Sequence, residues 1–292
     1  MSLAHPEAAN TMISETFEVF HVQDQVKTEK TLYHYHDFYE IHCTLAGSGD
    51  FFLDGHEYTL TPGTILLVHY NDLHRIVKQT SEVFERTYIF VTPKYLALLS
   101  TPKSNLQNCF KSFNQKHSRV LQTDTETLRS YLSPLEEPPK NCFGGDILYN
   151  QAFLNLMIYL NNLCLSEEDL VQPKETTTSP LIRDLMDYAS ENLVQDLSLD
   201  RVSEAFFADK FYLSREFKRQ TGFTFHQYVL KKRLLYSKEL LRQTGSSSEI
   251  YPQCGFGSYT HFLRSFKKEF NMTPKEFLKA DKEQKFVYFD HH

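Results

Sequence analysis

Residues 34–42, HYHDFYEIH, place His34, His36 and Glu40 at even-numbered positions. On one continuous strand, whose side chains alternate with a period of two, all three would share a face. Two imidazoles and a carboxylate can ligate a transition metal, and they can equally form the polar wall of a pocket that binds without reacting. A second set of chemistry-bearing residues lies far along the chain. LSREFK (213–218) recurs as FLRSFK (262–267), and the offset of 49 residues also pairs Phe207 with Phe256, Arg215 with Arg264, Lys218 with Lys267, Thr224 with Thr273 and Tyr228 with Phe277. Arginine suits bidentate contact with guanine and lysine suits phosphate, so the repeat points to nucleic acid.

The elements that must hold these residues differ in kind. Residues 15–92 read as strands, with the runs EIHCTLA (40–46), DFFL (50–53), EYTLT (57–61), TILLVHY (64–70) and RTYIFV (86–91) separated by turn residues. Asp54-Gly55 between two of these runs is a hairpin turn signal. From Pro93 the pattern turns helical, over 123–133 and over 146–164, where apolar residues cover a wide arc suited to packing on the β domain or on a second copy. VQPKETTTSP (171–180) has the composition of a linker. Helices then follow in succession to about residue 280.

Each copy of the repeat reads as helix, short turn, helix: VSEAFFA, DKFY, LSREFKRQ, and SEIYPQC, GFGS, YTHFLRSFKKEF. Leu213 with Phe217, and Phe262 with Phe266, are spaced to anchor each second helix on a core. Asp209 and Ser258 stand at the N-cap positions. HQYVLKKRLLYSKELLRQ (226–243), with the basic cluster Lys231, Lys232 and Arg233, is a helix that would hold the two readers at a fixed separation.

Length and charge agree with this division. A chain of 292 residues exceeds one ordinary domain. The formal net charge of −6 splits into 13 basic against 22 acidic residues over 1–175 and 18 against 15 over 176–292, while 210–285 alone holds 16 basic and 7 acidic. An acidic front half joined to a basic segment suits a small-molecule or protein module coupled to an anion-binding one. The five cysteines are scattered without a CxxC pair, which argues against a disulfide framework or cysteine zinc site. No apolar run approaches a membrane span and no leader pattern opens the chain, so the expected location is cytoplasmic.

Residues 181–280 closely resemble the DNA-binding domain of AraC-type transcription regulators, through YLSREFKRQTG (212–222), RLLYSKELL (233–241) and CGFGSYTHFLRSFKKEFNMTP (254–274). The resemblance implies two helix-turn-helix units in adjacent major grooves of double-stranded DNA. Carried over by position, the base-facing candidates are Phe211, Tyr212, Ser214 and Arg215 in the first reader and Tyr259, Thr260, His261, Leu263 and Arg264 in the second. Lys218, Arg219, Lys267 and Lys268 are phosphate candidates. Ile250-Tyr251-Pro252 departs from the family pattern, because proline and a bulky tyrosine stand where a helix-compatible residue and alanine are usual.

The N-terminal strands resemble the cupin jelly roll, a sensor domain attached to many such regulators. His34, His36, Glu40 and Gly47 meet the first cupin motif, and Gly63 and His74 meet part of the second, where His69, Asn71 and Lys78 depart from it. The resemblance implies candidate metal ligands His34, His36, Glu40 and His74 for a divalent transition metal, Fe, Mn, Ni or Zn. It also implies an effector pocket of His34, His36, Phe38, Glu40 and His74, with His42, Tyr70 and Tyr88 as further lining candidates.

The expected architecture is therefore multidomain. An all-β cupin-like jelly roll with appended helices occupies 1–170, with strands over about 15–92 and helices over about 93–170, followed by a 171–180 linker and an all-α DNA-binding domain of two helix-turn-helix units over 181–285. The expected function is a dimeric, non-enzymatic transcription regulator that senses a small molecule such as a sugar and acts on RNA polymerase if it activates. Two alternatives stand beside it: a metal-dependent cupin enzyme fused to a DNA-binding domain, and a regulator whose β domain only dimerises.

Overall fold

A computed structural model of the chain describes residues 12–24, 34, 36, 38–53, 56–70, 72–79, 83–110, 119–137, 139, 142–165, 171 and 179–287. Asp54-Gly55, Asn71 and most of the 171–180 linker lie outside the described residues. The chain divides into two compact units, residues 1–177 and 178–292.

The first unit contains β1 (Phe17–Asp24), β2 (Tyr39–Ala46), β3 (Gly49–Leu53), β4 (His56–Leu60), β5 (Thr64–Val68), β6 (His74–Gln79), β7 (Phe84–Val91) and β8 (Val120–Gln122). They form a five-stranded sheet in the order β1-β7-β2-β5-β8 and a three-stranded sheet in the order β4-β3-β6, with every strand pair among the described residues antiparallel. Among the described residues three α-helices, α1 (Pro93–Leu99), α2 (Thr125–Glu136) and α3 (Gly145–Leu165), and a short 3-10 turn, Asn108–Phe110, accompany them. The stretch after Pro93 is thus not wholly helical. Three residues of β8 are too few to show a period, and their extended form is set by pairing with Thr64–Leu66.

Strand alternation sorts the five-stranded sheet into two faces. Tyr39, Ile41, Cys43 and Leu45 of β2, Ile65 and Leu67 of β5, and Ile89 and Val91 of β7 join Leu128 and Leu132 of α2 and Phe153, Leu156, Met157 and Leu160 of α3 in one buried core. On the opposite face Leu66, Val68 and Phe84 meet Phe51, Leu53, Tyr58, Leu60 and Ile76 of the three-stranded sheet. The two sheets therefore enclose an interior, and Glu40, His42 and Thr44 share the β2 parity opposite to the helix-covered residues.

The second unit contains α4 (Pro180–Glu191), α5 (Leu199–Ala205), α6 (Lys210–Thr221), α7 (Phe225–Thr244), α8 (Ser247–Ile250), α9 (Tyr259–Phe270) and α10 (Pro274–Val287). Its helix starts follow side-chain capping: Asp209 accepts from the amides of Phe211 and Tyr212, Ser258 from that of His261, and Thr224 forms a reciprocal capping box with Gln227. Pro252 does not interrupt a helix, because α8 stops at Ile250 and the chain turns through Tyr251–Gly255.

The 49-residue repeat slips by one position in its turns. Phe206 packs edge-on against Tyr188 while Phe207 is 97% exposed at φ 49°. In the second copy Phe256 is buried and the positive φ belongs to Gly255. Phe206, rather than Phe207, is the packing equivalent of Phe256.

Candidate functional site

The cluster anticipated at HYHDFYEIH forms in part. β2 begins at Tyr39, so His34 and His36 precede it and do not lie on one continuous strand with Glu40. His34 instead makes an isolated antiparallel bridge to His74, with each amide donating to the other's carbonyl at 3.1 Å. What converges is His36, Glu40 and His74, whose ligand atoms all lie within 4.8 Å of one another and whose side chains are buried. The His34 ring lies 4.2 Å from that of His74 but is not among these three, and Phe38 stacks on His36 at 3.9 Å.

The hydrogen bonds fix which ring nitrogens face inward. His36 Nδ1 lies 2.7 Å from the Phe38 carbonyl and His74 Nδ1 lies 3.1 Å from the Asp72 carbonyl. A carbonyl only accepts, so both Nδ1 atoms carry protons. The two Nε2 atoms then point at one carboxylate, at 3.0 Å for His36 and 3.4 Å for His74 from Glu40 Oε2. Each approach requires either a proton on Nε2 or a cation between the groups. The His74 approach is an ion-pair contact rather than a well-aligned hydrogen bond.

Burial would raise the Glu40 carboxyl, yet the hydrogen bond with His36 and the close imidazoles of His36 and His74 hold it well below the ordinary carboxylate range. Burial lowers His36, outweighing its bond to Glu40. For His74, Glu40 overcomes burial and raises the imidazole. An anionic carboxylate with two inward Nε2 atoms is a donor set suited to a divalent transition metal, and backbone carbonyls behind each Nδ1 orient such ligands. The residues fit that group.

Deeper along β2, His42 and Thr44 face Tyr88 and Arg86 across the β2–β7 ladder. Both His42 ring nitrogens and Thr44 Oγ1 are buried without a hydrogen-bond partner. Burial first, then the charge of Arg86, lowers the His42 pKa to about 3, so the ring is neutral. Arg86 is itself fully buried, donating from Nε to the Tyr88 hydroxyl. Arg86 and Thr44 were not singled out in the sequence, although even-numbered parity with Glu40 and Tyr88 would have found them. Tyr70 lies elsewhere, in the helix-covered core against Tyr39.

On the second unit, the residues of each reading helix divide by period. Leu213 and Phe217 of α6 and Phe262 and Phe266 of α9 are buried. Phe211, Tyr212, Arg215, Lys218 and Arg219 are exposed, Ser214 is half-buried, and Arg219 is held by Glu216. In α9, Tyr259, Thr260, Arg264, Lys267 and Lys268 are exposed and His261 is half-buried. Leu263 packs partly against the second unit's core, and the Tyr259 hydroxyl bonds Ser247 at 2.8 Å. The anchors face inward and the cations outward, as a helix that enters a major groove requires.

Comparison with known proteins bears on both units. A helix-turn-helix domain model matches residues 202–280, and the AraC-like ligand binding domain matches residues 20–135. The HTH-type transcriptional activator RhaS of Enterobacter sp. is 27% identical over 245 residues, 83% of this chain and 86% of that protein. The RhaS of Salmonella schwarzengrund is 26% identical over the same shares. Among solved structures, ToxT of Vibrio cholerae covers 90% of this chain and 98% of its own at 14% identity and a TM-score of 0.37. The C-terminal domain of AraT, a response regulator from Geobacillus stearothermophilus, covers 36% of this chain and 88% of its own at 29% identity and a TM-score of 0.35.

Proposed function

The chain belongs to the AraC-type transcription regulators, with an AraC-like ligand-binding domain ahead of a helix-turn-helix domain, and from that premise we propose how its residues divide the work. A small polar effector, such as a sugar, enters the interior of the first unit at His36, Glu40 and His74, with His34 and Phe38 alongside. The observation that carries this is the convergence of two proton-locked imidazoles on one buried carboxylate. The same three residues would hold a divalent transition metal, with His34 as a further ligand. Bound there, a metal would supply Lewis acidity and a fixed point of attachment for an effector oxygen.

Occupancy biases the readers only if the effector binds the two regulatory states with different affinity. The readers are α6 and α9. Arg215 and Arg264 read base edges together with Phe211, Tyr212, Ser214, Tyr259, Thr260, His261 and Leu263, while Lys218 and Lys267 contact phosphate. The wide apolar arc of α3, which leaves Ile147, Leu148, Ile158 and Leu165 exposed, supports a homodimer. A regulator that activates also meets RNA polymerase. Among the described residues no helix is long and apolar enough to cross a membrane.

Selection from a random duplex pool with the full chain tests the DNA reading. The expected result is a composite site whose half-sites lie about one helical turn, ~34 Å, apart; failure to retain any duplex at low salt by folded protein would overturn it. The enzymatic alternative is separated by His36→Ala. Regulation predicts that this variant loses effector-dependent DNA binding, whereas a catalytic centre predicts turnover lost with regulation intact.

A further inference from the structure

Arg233 lies in the linker helix α7, within the basic cluster Lys231, Lys232 and Arg233. The structure buries Lys232 and turns Lys231 and Arg233 to partners within the same unit. Lys231 Nζ lies 2.6 Å from Glu269 Oε1 on the second reader α9. Arg233 donates from Nε to the Leu193 carbonyl at 2.8 Å and from Nη2 to the Gln195 carbonyl at 2.7 Å. Both carbonyls belong to the connection between α4 and α5, which leads into the first reader unit. That connection is itself held closed, because the Gln195 amide donates to the Asn192 carbonyl at 2.9 Å and the Ser198 amide donates to Asp196 Oδ1 at 2.9 Å.

The turn of the second helix-turn-helix copy arrives at the same point. Gly255 has φ +78°, and a Cβ added there would lie 2.2 Å from the Leu193 carbonyl oxygen and 2.6 Å from Arg233 Nε. One backbone carbonyl is therefore approached by the linker helix through Arg233 and by the second helix-turn-helix copy through bare glycine backbone. The first helix-turn-helix copy, the linker helix and the second copy meet there.

Apolar side chains of α7 pack on both copies. Phe225 and Tyr228 pack on Phe217 of the first reader, and Leu234, Leu240 and Leu241 join the second unit's core. Apolar packing is non-directional and tolerates small rotations. A planar guanidinium held by two backbone carbonyls sets an angle as well as a distance.

We propose that Arg233, with Gly255, is the positioning joint that sets the spacing and relative angle of the two reading helices and so selects the half-site separation the protein accepts. The proposal rests on the reading that both α6 and α9 contact DNA. Neither residue needs to touch DNA itself.

The test uses the full chain and the duplex it selects from a random pool, together with duplexes whose half-sites are moved one base pair closer or farther. Wild type should lose about tenfold in affinity or more on either shift, the order of one mismatch. Arg233→Met should flatten that preference to about threefold or less while leaving the salt dependence unchanged, since no phosphate contact is removed. Arg233→Lys, which supplies a point charge rather than a fork, should fall between them. Gly255→Ala should move the preferred separation.

Equal weakening of all three duplexes by Arg233→Met, with the wild-type ratio preserved, would show a merely structural residue. A shallower salt dependence would show a phosphate contact. Either result overturns the proposal. Should Arg233→Met not fold, Arg233→Lys decides, and a wild-type ratio there overturns it too. Failure of the wild type to select any duplex would sink the DNA reading instead.

Discussion

The two units carry their chemistry on opposite sides of their surfaces. In the first, His36, Glu40 and His74 are 4%, 4% and 1% exposed, whereas in the second Phe211 is 71% exposed and Arg215, Arg264, Lys218 and Lys267 lie in solvent. A buried charge must be matched by its neighbours, so in the first unit binding chemistry and stability share the same groups. On the reading helices the anchors Leu213, Phe217, Phe262 and Phe266 hold the fold while other residues face outward. Function and stability are separable there.

Substitutions can break that contrast. Glu40→Ala leaves two inward imidazoles without their shared acceptor and should lower the unfolding free energy of the first unit by about 3 kcal/mol, read from its urea transition. Arg264→Ala should change stability by no more than about 0.5 kcal/mol yet remove about 1–3 kcal/mol of discrimination at one base, leaving affinity for other sequences less affected. Comparable unfolding losses from both substitutions would end the distinction between the units.

Acid should act through the first unit. His42 titrates near 3 when folded, through burial and then Arg86, against 6.5 when unfolded. The unfolded chain thus binds more protons between these values, and stability falls as pH drops from 6.5 toward 3, by about 1.4 kcal/mol per pH unit for one such group. His36 is also lowered and adds the same sign. Replacing His42 by leucine should flatten the acid limb of thermal-denaturation midpoints measured from pH 6.5 to 5. An unchanged limb would place the sensitivity elsewhere.

The sequence disclosed these regions unequally, for physical reasons. The β2 alternation and the 49-residue repeat are periodic signals repeated over enough residues to read. His34 was grouped with His36 and Glu40 by parity, and parity fails before Tyr39 because the chain there is not a continuous strand. β8 has three residues and depends on a partner distant in sequence. The short α8 and its turn are legible only once Pro252 is seen to follow the helix. Arg233 looked like one of three equivalent surface cations, since nothing local shows that the Leu193 and Gln195 carbonyls wait for it.

The smallest effect divides the two reader copies rather than the two units. Phe207 and Gly255 are the positive-φ residues of corresponding turns, yet they sit in opposite surroundings. A non-glycine residue in the left-handed region costs roughly 1–2 kcal/mol, while glycine adds about 0.5–1 kcal/mol of unfolded-chain entropy. Because Phe207 is 97% exposed, Phe207→Gly surrenders almost no packing and should stabilise the second unit by about 0.5 kcal/mol. Gly255→Ala meets the Leu193 carbonyl as well as the positive φ and should destabilise it. Opposite signs in paired thermal-denaturation measurements would show that the left-handed position is strained in the first copy and needs glycine in the second. A loss of stability for Phe207→Gly would mean that the phenylalanine ring makes a contact that outweighs its backbone strain.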